Sequence, residues 1–118
     1  MDESWAHELL RAERAATLER IRSMSGDFDG IVAASADTNA DDEHDPEGPT
    51  IAFERAQVAA LLAQARAYLD DIDVAAARLA DGTYPVCERC GEPIGTERLA
   101  ARPAVRTCVR CAASAHRT

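Results

Sequence analysis

Two Cys-x-x-Cys pairs, Cys87-Glu88-Arg89-Cys90 and Cys108-Val109-Arg110-Cys111, stand 17 residues apart and constrain this chain more than any other feature of it. A Cys-x-x-Cys turn delivers two thiolates from one tight knuckle, and two knuckles close a tetrahedral site of the kind zinc prefers. Gly91 follows the first pair and can take the left-handed backbone conformation that such a knuckle often demands. Four sulfur ligands leave no coordination position for water, so the expectation is one structural Zn²⁺ held by Cys87, Cys90, Cys108 and Cys111, and not a catalytic ion. Binding energies at such sites run to roughly 10–16 kcal/mol, enough to hold the segment folded. The plain alternative is four free or disulfide-paired thiols, and the doubling of the motif weighs against it. Arg89, Arg106 and Arg110 are either charge partners of a doubly negative ZnS₄ core or ordinary solvated arginines.

At 118 residues the chain has room for one ordinary domain, or for one extended element and one small one. Aromatic residues make up only 4%. That favours helices burying narrow stripes over a thick layered core. The net charge is −8, unevenly spread: residues 82–118 hold six arginines against three glutamates, which leaves −11 for residues 1–81. Duplex-binding proteins present a basic face to phosphates, and two thirds of this chain does the opposite. No stretch approaches the roughly 20 apolar residues of a membrane span, and Met1-Asp2-Glu3 is no basic leader. A soluble, cytoplasmic protein is expected, in a reducing compartment where cysteines serve as metal ligands.

Apolar residues at Leu18, Ile21, Met24, Phe28, Ile31 and Val32 share one helical face, which predicts a first helix from about Ser4 to about Ala36. Gly26 and Gly30 are places where it could break. Asp37 to Pro49 holds six acidic residues, no basic ones and a Gly48-Pro49 pair, the pattern of a loop. From there Ile51, Glu54, Val58, Leu61, Ala65, Tyr68, Ile72, Ala75 and Leu79 alternate steps of three and four, a coiled-coil seam over about 50–80 with Thr50 as N-cap and Gly82 as the stop. Such a stripe needs a partner. The expected fold is therefore mainly α: an antiparallel coiled-coil hairpin over 1–81 with an acidic tip loop at 37–49, then a C4 zinc finger over 82–118 ending in a short helix. A monomer is expected.

Nothing in the chain suggests an enzyme. The cysteines are committed to metal, there is no glycine-rich phosphate loop, and His7, His44 and His116 are isolated. Trp5 is expected to pack near the start of the first helix. Asp42 and Asp45, with Asp41, Glu43 and Glu47 around them, could coordinate magnesium or simply form a solvated loop.

The residues Gly82-Thr83-Tyr84, Cys87-Glu88-Arg89-Cys90-Gly91, Pro93-Ile94, Arg98-Leu99, Ala101-Arg102-Pro103 and Cys108-Val109-Arg110-Cys111 resemble the C4 zinc finger of the DksA/TraR transcription factors. That family places an acidic-tipped antiparallel coiled coil before the finger, with a DxxDxA motif at the tip. Asp42-Glu43-His44-Asp45-Pro46-Glu47 supplies both aspartates at that spacing, with Glu47 in place of the alanine. The resemblance implies a regulator that binds RNA polymerase rather than DNA, its coiled coil entering the secondary channel and bringing Asp42 and Asp45 near the active site. Arg102 matches an arginine that contacts polymerase or the nucleotide ppGpp in the family. The family's helix lysine falls at Asp71 and a lysine after the last cysteine falls at Ala112, so the resemblance does not extend to a complete ppGpp site. Tyr84-Pro85 stands where tyrosine is usually followed by glycine.

Two other readings remain open on the sequence. One is a nucleic-acid-binding zinc ribbon with Arg98, Arg102 and Arg106 on phosphates; the other is a thiol redox sensor that releases zinc on oxidation.

Overall fold

The structure is a computed structural model and describes residues 3–39 and 48–115. Four helices follow one another: α1 (Glu3–Asn39), α2 (Gly48–Asp81), α3 (Thr96–Ala101) and α4 (Val109–Ala115). The described residues hold no strand, only an isolated antiparallel bridge between Val86 and Pro93. The protein is mainly α, as its composition implied.

Helix α1 continues through Gly26 and Gly30 without interruption and reaches Asn39, past the expected stop near Ala36. Two glycines do not outweigh the apolar stripe on either side of them. Helix α2 begins at Gly48, so Thr50 lies inside the helix and is not its N-cap. Proline is tolerated in a first helical turn, where its missing N–H would have no partner, and Pro49 starts this helix instead of preceding it. Residues 37–39, 48 and 49 of the expected tip loop are thus helical. Residues 40–47, Asp42 and Asp45 among them, lie outside the described residues.

The chain divides into two compact units, residues 1–16 with 68–118, and residues 17–67. Each unit combines a stretch of α1 with a stretch of α2. The start of α1 shares a unit with the end of α2, and the end of α1 with the start of α2, which is the antiparallel arrangement of a helical hairpin. In the second unit Thr17, Leu62 and Ala65 are buried. Here the seam differs from the expected one: Leu61 is 47% exposed, while Leu62 is 8% exposed. Both follow Val58 at helical spacing. At 100° per residue Leu62 lies about 40° from half-buried Val58 on one side and Leu61 about 60° from it on the other, and the structure buries the nearer of the two. Glu54 also points out to solvent.

The first unit holds the larger core. Ala6 and Leu10 of α1 pack with Ile72, Ala75 and Leu79 of α2, and the same cluster continues through Tyr84, Cys87, Ile94, Leu99 and Cys108. Trp5 and Tyr68 pack against it. Tyr68 donates its hydroxyl to Glu13 at 2.7 Å, and Arg14 pairs with Asp73 at 3.0 Å.

Helix α2 stops at Gly82, whose φ of 86° only glycine adopts without strain. The Thr83 N–H bonds the Arg78 carbonyl at 2.9 Å and the Gly82 N–H the Leu79 carbonyl at 3.4 Å, the hydrogen-bond pair of a Schellman stop. Arg78 donates one guanidinium nitrogen to the carbonyls of both Thr83 and Val86. Asp81 accepts from the hydroxyl and then the N–H of Thr83, bonds that hold its carboxyl below the usual range. Together these contacts aim the chain leaving α2 toward its first cysteine.

Candidate metal centre

The first knuckle is built by backbone hydrogen bonds that the sequence makes possible. The Cys87 N–H bonds the Glu92 carbonyl at 2.8 Å and the Gly91 N–H returns to the Cys87 carbonyl at 3.0 Å. Gly91 sits at φ 78°, the left-handed turn foreseen for it. The Ile94 N–H bonds the Pro85 carbonyl at 2.9 Å and closes the small hairpin at its base. Proline after Tyr84 costs nothing here, because the Pro85 carbonyl is the group used.

The second knuckle is the start of α4. Cys108 precedes the helix, Cys111 lies in its first turn, and the Ala112 N–H reaches the Cys108 carbonyl at 3.0 Å. The two knuckles are joined by the bond from the Glu88 N–H to the Arg106 carbonyl at 2.9 Å, and Arg98 of α3 donates its Nε to the Thr107 carbonyl, just before the second, at 2.9 Å. Tyr84 contributes a further tie: fully buried, it donates its hydroxyl to the Pro103 carbonyl at 2.8 Å. Burial raises the Tyr84 hydroxyl above its ordinary pKa, so it stays a donor across the working range. Its role is a long-range contact, and nothing local to Gly82-Thr83-Tyr84 announces it.

The four Sγ atoms of Cys87, Cys90, Cys108 and Cys111 lie within 4.8 Å of one another. A tetrahedral ZnS₄ site with Zn–S of about 2.3 Å has sulfur–sulfur edges of about 3.8 Å. Cys90 and Cys108 are 3.8 Å apart. The donor set, its spacing and its closed four-sulfur character fit one structural zinc ion. Cys87 and Cys108 are buried, Cys111 is half-buried and Cys90 is exposed, so each knuckle turns one sulfur inward.

As thiols the four cannot ionise alike. Burial pushes the Cys87 thiol up, but the backbone N–H groups of Cys108, Cys90 and Arg89 outweigh it, and its pKa falls to about 6. Cys108 is lowered too, first by the backbone N–H of Cys111. Cys111 is pushed up to about 12 by burial and by the thiols of Cys108, Cys90 and Cys87 crowding it. Sulfurs this close repel as thiolates, and a divalent cation among them removes the conflict.

Of the three arginines considered as partners of the metal core, none bonds a sulfur in the structure. Arg106 turns to α2 and pairs with Asp71 at 3.0 Å, Arg89 approaches the Cys111 carbonyl at 3.4 Å, and Arg110 is exposed. Arg102, also exposed, lines a cleft of about 370 Å³ with Tyr68, Asp71 and Arg106. His7 is exposed; His44 and His116 lie outside the described residues. Among the described residues no helix is long and apolar enough to cross a membrane.

Comparison with known proteins agrees with this geometry. Residues 82–117 match the family of prokaryotic dksA/traR C4-type zinc fingers. An uncharacterized protein of Aquifex aeolicus is 47% identical over 51 residues, 43% of this chain and 35% of the relative. The RNA polymerase-binding transcription factor DksA of Caulobacter vibrioides is 31% identical over 100 residues, 85% of this chain and 60% of the relative. The chain therefore spans between about a third and three fifths of the length of these curated relatives. The solved structure of transcription factor DksA2 from Pseudomonas aeruginosa has the same fold, with a TM-score of 0.58 over 99% of this chain and 91% of that one at 24% identity. Residues 82–117 thus belong to the dksA/traR family of C4-type zinc fingers, and the likeness to DksA continues over 85% of the chain.

Proposed function

We propose that the protein is a cytoplasmic transcription regulator that binds RNA polymerase, acts without catalysis of its own, and carries its zinc as a structural ion. The observation that carries the reading is the union of a DksA/TraR finger with the ends of both long helices in one core, from Ala6 and Leu10 to Leu99 and Cys108. A finger packed this way works as the base of the helices and not as an independent DNA reader. The finer reading is that the coiled coil enters the secondary channel and presents Asp42 and Asp45 near the polymerase active site. Its support is compositional: residues 17–67 hold ten acidic side chains against four arginines, the charge suited to a channel that admits nucleotides and magnesium. Arg102, exposed at the cleft it shares with Tyr68, Asp71 and Arg106, is the finger arginine proposed to meet polymerase. At the position of the family's helix lysine, Asp71 carries a negative charge already paired with Arg106, so ppGpp is not part of the proposal.

The nucleic-acid reading loses ground on the same side chains. Of Arg98, Arg102 and Arg106, the first is engaged with Thr107 and the third with Asp71. That leaves one of the three to meet a phosphate.

Purified protein competing for core RNA polymerase tests the proposal. Saturable binding, absent for double-stranded DNA at the same salt, is expected. Binding to DNA and not to polymerase would overturn it.

A further inference from the structure

A cleft of about 550 Å³ opens between the two helices of the second unit. Gly26, Gly30 and Ile31 form its α1 wall, and Ile51, Glu54 and Val58 face them from α2. Nothing among the described residues accounts for the two glycines. Each weakens a helix interior relative to alanine, neither has a positive φ, and a β-carbon at either position would meet nothing within 4 Å. They relieve no close approach of α2. Their effect is to leave one wall of the cleft bare, with half-buried Ile31, Ile51 and Val58 as its apolar lining. Two carboxylates, Asp27 and Glu54, stand at this cleft exposed. Among the described residues neither takes part in an ion pair or hydrogen bond.

We infer that this cleft is a docking site for a segment of RNA polymerase that inserts one apolar side chain between the helices and sets an adjacent arginine or lysine against Asp27 and Glu54. The inference rests on the polymerase-binding reading above. Charge selects the occupant. With ten acidic side chains against four arginines over residues 17–67, a second copy of this chain would meet like charge, and an acidic segment would be repelled. A basic segment is attracted, and its apolar anchor finds the space that the missing β-carbons leave.

The test is competition for purified core polymerase by four proteins: the natural chain, Gly26→Leu/Gly30→Leu, Gly26→Ala/Gly30→Ala, and Asp27→Asn/Glu54→Gln. The leucine pair fills the cleft and should weaken binding about tenfold or more, as loss of a central anchor does. Its melting temperature should not fall, because leucine is the better helix former. The alanine pair stiffens the helix equally but leaves most of the space, and should bind within about threefold of the natural chain. The amide pair should weaken binding at low salt and converge with the natural chain at high salt. Unchanged binding by the leucine pair, or an equal loss by the alanine pair, overturns the docking site while the polymerase reading stands. If the natural chain itself fails to bind, the polymerase reading falls and the docking site with it.

Discussion

The Tyr84 hydroxyl donates to the Pro103 carbonyl at 2.8 Å, joining the segment that leads into the first cysteine knuckle to the turn that precedes the second, 19 residues on. Both residues are buried, so the bond is made where water cannot replace it. Tyr84→Phe should keep the ring in place and lose the bond, stranding a buried carbonyl. The expected cost is about 1–2 kcal/mol. It would be read as a lower melting temperature with unchanged metal content. A melting temperature equal to that of the natural chain would mean that water reaches the Pro103 carbonyl after all.

The seam of α2 yields a paired prediction. Leu62→Asp places a carboxylate at a buried position and should destabilise the second unit by several kcal/mol, since an unpaired buried charge is expensive. Leu61→Asp, at a position nearly half exposed, should stay within about 1 kcal/mol of the natural chain. Circular dichroism melts of the two variants decide it. The reverse order would restore the seam expected from the alternating pattern alone.

That reversal shows where the sequence was legible and where it was not. The metal centre could be read from spacing because each Cys-x-x-Cys knuckle is a local object, closed by its own backbone and by Gly91. The stop at Gly82 was legible for the same reason. Leu61 and Leu62 were harder, because both are leucines at helical spacing from Val58, and the choice depends on small rotations accumulated along a 34-residue helix. The start of α2 turned on whether Gly48-Pro49 breaks a helix or begins one, and both behaviours are physically ordinary. The tie that Tyr84 makes was not legible because its partner, Pro103, is remote in sequence. By sequence alone Arg106 reads as a candidate partner of the metal, because its carboxylate, Asp71, lies on another element.

Zinc binding should depend on pH in a direction set by the thiols. Cys111, pushed up to about 12, is protonated at neutral pH in the absence of metal and must release a proton when zinc binds. Cys87, lowered to about 6, is already a thiolate at neutral pH and takes up a proton only as pH falls through that value. Affinity should therefore fall as pH is lowered, and more steeply below about 6, where zinc must displace the proton from Cys87 as well. Competition with a chelator of known affinity between pH 5 and 8 measures the slope. The natural chain should hold one zinc, and Cys87→Ser or Cys108→Ser should lose it together with the fold of the finger. A flat pH profile, or full metal content in these variants, would contradict a four-thiolate site.

The proposed tip separates regulation from mere attachment to polymerase. Asp42→Asn/Asp45→Asn leaves the four cysteines and the buried residues of both units untouched. If those carboxylates act beside the polymerase active site, the variant should compete for core polymerase within about threefold of the natural chain, because the helices and the finger supply most of the contact. Its effect in single-round transcription from an unstable promoter should nevertheless be lost. Measuring binding and effect on the same preparations is the most direct test. Retained binding with a lost effect is the predicted result; an effect equal to that of the natural chain would contradict the account.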